Sequence, residues 1–165
     1  MPFEVGNRVV HPAHGAGTII GIQKANIGEA SHMYYVIKAI SNSMQLMVPV
    51  GQANDIGLRR VGQARKLRGT LKQTNAGEIE KNHTIRHKEM LERIKSGHFA
   101  EVAGVVCTLL CMSTQRALGK VDREIFNKGK ELLAGELALA TDSEMRLAMQ
   151  EIEESLARNT EQEEA

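Results

Sequence analysis

Val9-Val10-His11-Pro12-Ala13-His14-Gly15-Ala16-Gly17-Thr18-Ile19-Ile20-Gly21-Ile22 contains two β-prone runs, Val9-Val10 and Gly17–Ile22, parted by a turn rich in Pro and Gly. β-Branched residues suit an extended backbone, whereas Pro12 and Gly15 punctuate it. Outward from this segment the pattern repeats. Met33-Tyr34-Tyr35-Val36-Ile37 and Met44-Gln45-Leu46-Met47-Val48 are further runs of this type, bounded by Asn26–Gly28, Ser41-Asn42-Ser43 and Pro49. With Gly57-Leu58-Arg59-Arg60 as an exit strand, five short strands fit into about sixty residues, the spacing of a small β-barrel.

Beyond Val61 no proline recurs and the apolar spacing changes to three and four, so the rest of the chain is expected to be helical. Residues 63–73 suit a short helix, broken by Thr74-Asn75-Ala76-Gly77. Ile79, His83, His87, Met90, Leu91 and Ile94 mark one face of a second helix, ended by Ser96-Gly97. A third helix begins near His98 and buries Phe99, Val102, Ala103, Val106, Leu109 and Leu110. A fourth runs from about Lys120 to Leu139, where Gly129 costs up to about 1 kcal/mol relative to Ala unless close helix packing compensates. The last is expected to start from Thr141 as N-cap and to pack Met145, Ala148, Ile152 and Leu156, with a frayed tail after Arg158. The fold class is therefore α+β. A β domain spans residues 1–61, a helical domain of about five helices spans 62–158, and an acidic tail covers 159–165.

The net charge of +1 hides a strong division along the chain. Residues 1–58 are neutral, while 59–95 carry eleven basic against four acidic side chains, a net of +7. The stretch 96–149 is close to neutral and 150–165 is acidic. The basic middle has the footprint of polyanion contact. No run approaches the length of a membrane span, and the first ten residues lack a leader pattern, so a cytoplasmic protein is expected.

The polar motifs do not assemble a catalytic site. His11 and His14 share a Pro/Gly turn, Cys107 and Cys111 lie one helical turn apart, and His83 and His87 have i, i+4 spacing, but each pair lacks further metal ligands nearby in sequence. Turn residues, buried thiols and packing imidazoles are the expected roles, with no metal and no cofactor. No nucleophile elbow or paired-carboxylate arrangement is visible, so an enzyme is not expected.

Several ordered blocks carry a resemblance. Phe3-Glu4-Val5-Gly6-Asn7-Arg8-Val9-Val10-His11-Pro12-Ala13-His14-Gly15-Ala16-Gly17, then Met47-Val48-Pro49-Val50, then Ile56-Gly57-Leu58-Arg59 resemble the CarD/CdnL proteins. In the second half, Glu92-Arg93-Ile94-Lys95-Ser96-Gly97, Ala100-Glu101-Val102-Ala103 and Leu132-Leu133-Ala134-Gly135-Glu136-Leu137 are similar to that family in the same order.

The resemblance implies a Tudor-like β domain that binds the β subunit of RNA polymerase, and a helical domain that meets promoter DNA at the upstream edge of the bubble. Such a protein modulates the stability of the open complex, is associated with the nucleoid through polymerase, and is taken as a monomer. It also implies that Lys24, Ala25, Asn26, Ile27, Leu46, Met47, Val48 and Pro49 face polymerase. DNA contact is implied for His83, which stands where many relatives carry a wedge-forming Trp, and for Arg86, Lys88 and Arg123. A polymerase-binding adaptor whose helical domain meets a protein partner is the alternative.

Overall fold

The computed structural model describes residues 2–28 and 30–164. Strands β1 (Arg8–His11), β2 (Gly15–Ile27), β3 (Ala30–Ala39), β4 (Gln45–Pro49) and β5 (Arg59–Arg60) form one antiparallel sheet in the order β4-β3-β2-β1-β5. A 3-10 turn (Val50–Gln52) and a one-turn helix α1 (Ala53–Ile56) join β4 to β5. The expected five strands are present, and β4 and β5 are not laddered together, so the barrel is open-sided. Val9, Ile19, Tyr35, Ile37 and Val48 turn inward, and Phe3, Ala53 and Leu58 pack with them to form the β core. Gly17 lies so close to β3 that a Cβ there would meet the Lys38 carbonyl oxygen at 2.6 Å, which excludes any side chain. The exit strand is shorter than expected, because Gly57 adopts φ +93° as the C-cap of α1 and Leu58 is buried beneath the sheet.

Five helices follow, α2 (Ala64–Gln73), α3 (His83–Lys95), α4 (Phe99–Gln115), α5 (Lys120–Thr141) and α6 (Met145–Glu164). α4 is central and packs against the other four, so Val105, Cys107, Thr108 and Met112 are buried as well as the expected apolar stripe, of which Leu110 alone is only half-buried. Its apolar residues outnumber those of one face, and a helix hydrophobic on every side belongs inside. Gly97 ends α3 at φ +72°, and a Cβ there would stand 3.1 Å from Pro12, so the α3–α4 turn rests on the β1–β2 turn.

Two boundaries differ from expectation. Thr141 is the last residue of α5, its hydroxyl donating to the Leu137 carbonyl at 2.8 Å, and Asp142 at φ +53° breaks the helix there. The polar run Thr141-Asp142-Ser143-Glu144 looks like a cap from either side, and the left-handed residue decides for a stop. α6 continues past Arg158 because Asn159 is useful: its buried Nδ2 donates to the Leu71 and Thr74 carbonyls at 2.6 and 2.7 Å, capping the end of α2.

Gly129 of α5 packs tightly against α4, and a Cβ there would stand 2.6 Å from Val106 Cγ2. Gly129→Ala should therefore lower stability by about 1–2 kcal/mol, overpacking outweighing the gain of about 1 kcal/mol in helix propensity. Thermal unfolding measures this, and a midpoint at or above that of the parent protein would contradict it.

Candidate functional site

Strand β4 ends the sheet, so one row of its backbone N–H and C=O groups has no strand partner among the described residues. Its side chains alternate. Val48 is buried in the β core and Leu46 is half-buried against it, while Gln45 and Met47 point outward. Met47 is 50% exposed, and Met44 just before the strand is 52% exposed. An open backbone edge lined with flexible thioethers suits strand addition with apolar side-chain contact. Pro49 closes the strand.

Lys24–Ile27 lie on the part of β2 that runs past β1 and pairs only with β3. Lys24 and Asn26 are exposed and Ala25 is half-buried; the Ile27 backbone pairs with Ala30, and its side chain lies outside the described residues. Tyr34 of β3 stands opposite both Gln23 and Pro49, so β3 separates this segment from β4. The two expected polymerase-facing segments share one end of the sheet without sharing an edge.

In the helical domain, Asn82 caps α3 by accepting from the Ile85 amide at 3.1 Å. One turn on, Arg86 points inward and its side chain is 2% exposed. Its Nη2 donates to Asp122 Oδ2 at 2.8 Å, its Nη1 donates to the Glu80 carbonyl at 3.1 Å, and Nη2 also lies 3.1 Å from His83 Nδ1. Asp122, in the first turn of α5 where the helix dipole favours a carboxylate, also accepts from His87 Nε2 at 3.0 Å. The implied phosphate contact at Arg86 therefore does not hold as stated, because its guanidinium is enclosed by protein. It ties α3 to α5 instead. His83, Lys88 and Arg123 are exposed, and neither Lys88 nor Arg123 takes part in an ion pair among the described residues.

The basic segment is depleted in the same way. Arg59, Arg68, Arg86 and Arg93 are paired with Glu136, Glu151, Asp122 and Glu101, and Arg60 lies 5.7 Å from the Phe3 ring centroid. Its lysines, Lys66, Lys72, Lys81, Lys88 and Lys95, are all exposed.

One constellation was not anticipated. Glu136 of α5, 3% exposed at its side chain, accepts from Arg59 Nη2 at 2.6 Å, Arg59 Nη1 at 2.8 Å and the Gly62 amide at 2.8 Å. Arg59 also donates to the Gly97 carbonyl at 2.7 Å. This clamp joins the exit strand, the α3–α4 turn and α5. Nearby, Ile40 packs into the helical core, and Arg8 donates to the Leu139 carbonyl and to Asp142. Arg59 and Glu136 are 77 residues apart, and no local pattern pairs them. His11 lines the same seam; burial lowers its imidazole below the ordinary histidine value, and His14 adds to the effect. Among the described residues, no group of three or more His, Cys, Asp or Glu is arranged to hold a metal, and no helix is long and apolar enough to cross a membrane.

Residues 3–62 match the family model described as the CarD-like/TRCF RID domain, and residues 66–165 match that of the CarD C-terminal domain. The chain is also similar to the candidate transcription factor YdeB of Bacillus subtilis (strain 168), with 29% identity over 137 residues, which covers 82% of this chain and 90% of the relative.

Proposed function

The chain belongs to the CarD family of transcription regulators that interact with RNA polymerase, and from that membership we propose how its two halves divide the work. The β domain docks on the polymerase β subunit by pairing a strand with the open edge of β4. The helical domain then meets promoter DNA upstream of the bubble through Lys88 and Arg123, with His83 as a further contact, and changes the lifetime of the melted state. The observation that carries this reading is the unpartnered edge of β4 with Met47 half exposed on it. Main-chain hydrogen bonds supply affinity there, and the thioethers replace ion pairs as the side-chain contribution. Tethering raises the local concentration of the helical domain near DNA, so two free cations suffice where a free DNA-binding protein would need more.

Met47→Asp places a charge on this edge without touching the β core. Capture of the polymerase β subunit by the full-length protein should weaken by about tenfold or more, a loss of about 1.4 kcal/mol, with unchanged far-UV circular dichroism. Undiminished capture by the folded variant would rule out docking on β4.

Ile85, Leu91 and Val121 are exposed on the helical domain, and they favour a second reading in which this domain meets a protein partner. Footprinting of promoter complexes separates the two. Protection upstream of the bubble supports DNA contact, and polymerase binding without it supports the adaptor.

A further inference from the structure

Beside the Arg86–Asp122 pair a groove of ≈ 380 Å³ opens between α3, the end of α4 and the start of α5. His83 and His87 line one side, with ring centroids 6.4 Å apart. Arg116 and Lys120, both exposed, contribute cations, while Met112 and Leu118 contribute apolar surface. The one acid that lines it, Asp122, is already bonded to Arg86 and His87, whereas neither Arg116 nor Lys120 is held in an ion pair among the described residues. The groove therefore favours an anionic ligand.

The two rings are also pre-set. His83 Nδ1 faces a guanidinium N–H and so accepts, while His87 Nε2 faces a carboxylate and so donates. In the neutral rings this assigns a remaining N–H donor to His83 Nε2 and a remaining acceptor to His87 Nδ1. A donor on one ring and an acceptor on the other, with apolar surface and cations in the same lining, match a heterocyclic base carrying a phosphate. The volume lies near the lower end of the range for ligand sites, about 300–1,000 Å³, which suits one nucleotide.

We propose that this groove binds a single nucleotide, base against the histidines and phosphate against Arg116 and Lys120. The nucleotide is either free or an unpaired residue of a melted strand. The strand source rests on the DNA-facing reading above; the nucleotide chemistry rests on the groove alone.

The test is a titration of the full-length protein followed by NMR, using thymidine 5′-monophosphate, a short oligothymidylate, a duplex of the same length and inorganic phosphate. The mononucleotide, the single strand or both should move the His83 and His87 ring signals and the Arg116 and Lys120 amides, with the duplex weaker. Arg116→Ala with Lys120→Ala should lower that affinity about tenfold while the rest of the spectrum stays in place. Binding by the mononucleotide alone assigns a free ligand, and binding by the oligomer assigns the strand. Equal shifts with inorganic phosphate would reduce the site to an anion site, and no shift with either nucleotide probe would remove it; both outcomes overturn the proposal. Upstream footprinting is independent of this result. A retained footprint without nucleotide binding rejects the groove only, and nucleotide binding without a footprint rejects the promoter reading only.

Discussion

Glu136→Ala should lower the unfolding free energy by about 3 kcal/mol, the low end of what removing one partner of a buried ion pair costs. The substitution strips Arg59 of two charge-assisted hydrogen bonds and leaves the Gly62 amide without its acceptor. The low end applies because the Arg59 side chain is 28% exposed and keeps its bonds to the Gly97 carbonyl. Glu136→Gln, which retains an acceptor oxygen for Gly62, should cost less. Urea unfolding gives the energy directly, and a Glu136→Ala protein as stable as its parent would contradict this account of the seam.

Asp122→Ala should be at least as damaging, about 3–5 kcal/mol, because it leaves the Arg86 guanidinium buried at 2% exposure without its counter-charge. Asp122→Asn should fall close to it, since the amide keeps the shape and loses the charge. Replacing Arg86 and Asp122 together with apolar residues of similar volume should cost much less than either single change, the mark of a pair in which an orphaned charge is the main penalty. Lys88→Ala and Arg123→Ala should stay within about 0.5 kcal/mol of the parent. Equilibrium unfolding of the set separates the residue that holds α3 to α5 from those that face outward, and a mild effect at Asp122 would return Arg86 to the pool of free cations.

Much of the architecture was legible in the sequence because periodicity is local. The β-branched runs around His11–Gly15 and the change of spacing after Val61 placed five strands and five helices, and Ser96-Gly97 stopped α3 where a left-handed glycine is needed. The open edge at β4 was named in part by Leu46–Pro49, yet β3 separates it from Lys24–Ile27, and pairing order is a property of the whole sheet. The helical site was less legible for a physical reason. A sequence shows how many cations a segment holds, and their partners lie elsewhere: Asp122 is 36 residues from Arg86, and Glu136 is 77 from Arg59. Counting charge therefore overstated the free cations of residues 59–95. The α3 stripe erred in the same way, since the inward position between His83 and His87 is filled by Arg86 while Leu91 is 39% exposed.

The central claim is that a polymerase-tethered helical domain touches promoter DNA through Lys88 and Arg123. The most direct measurement is the lifetime of competitor-challenged promoter complexes across a salt series, with the parent protein and with the Lys88→Ala/Arg123→Ala double variant. If the claim holds, the parent protein lengthens the lifetime and the double variant loses that effect. The salt slope should fall by about 2, one for each phosphate contact removed. A double variant that matches the parent in both lifetime and salt slope, while still bound to polymerase, would contradict it.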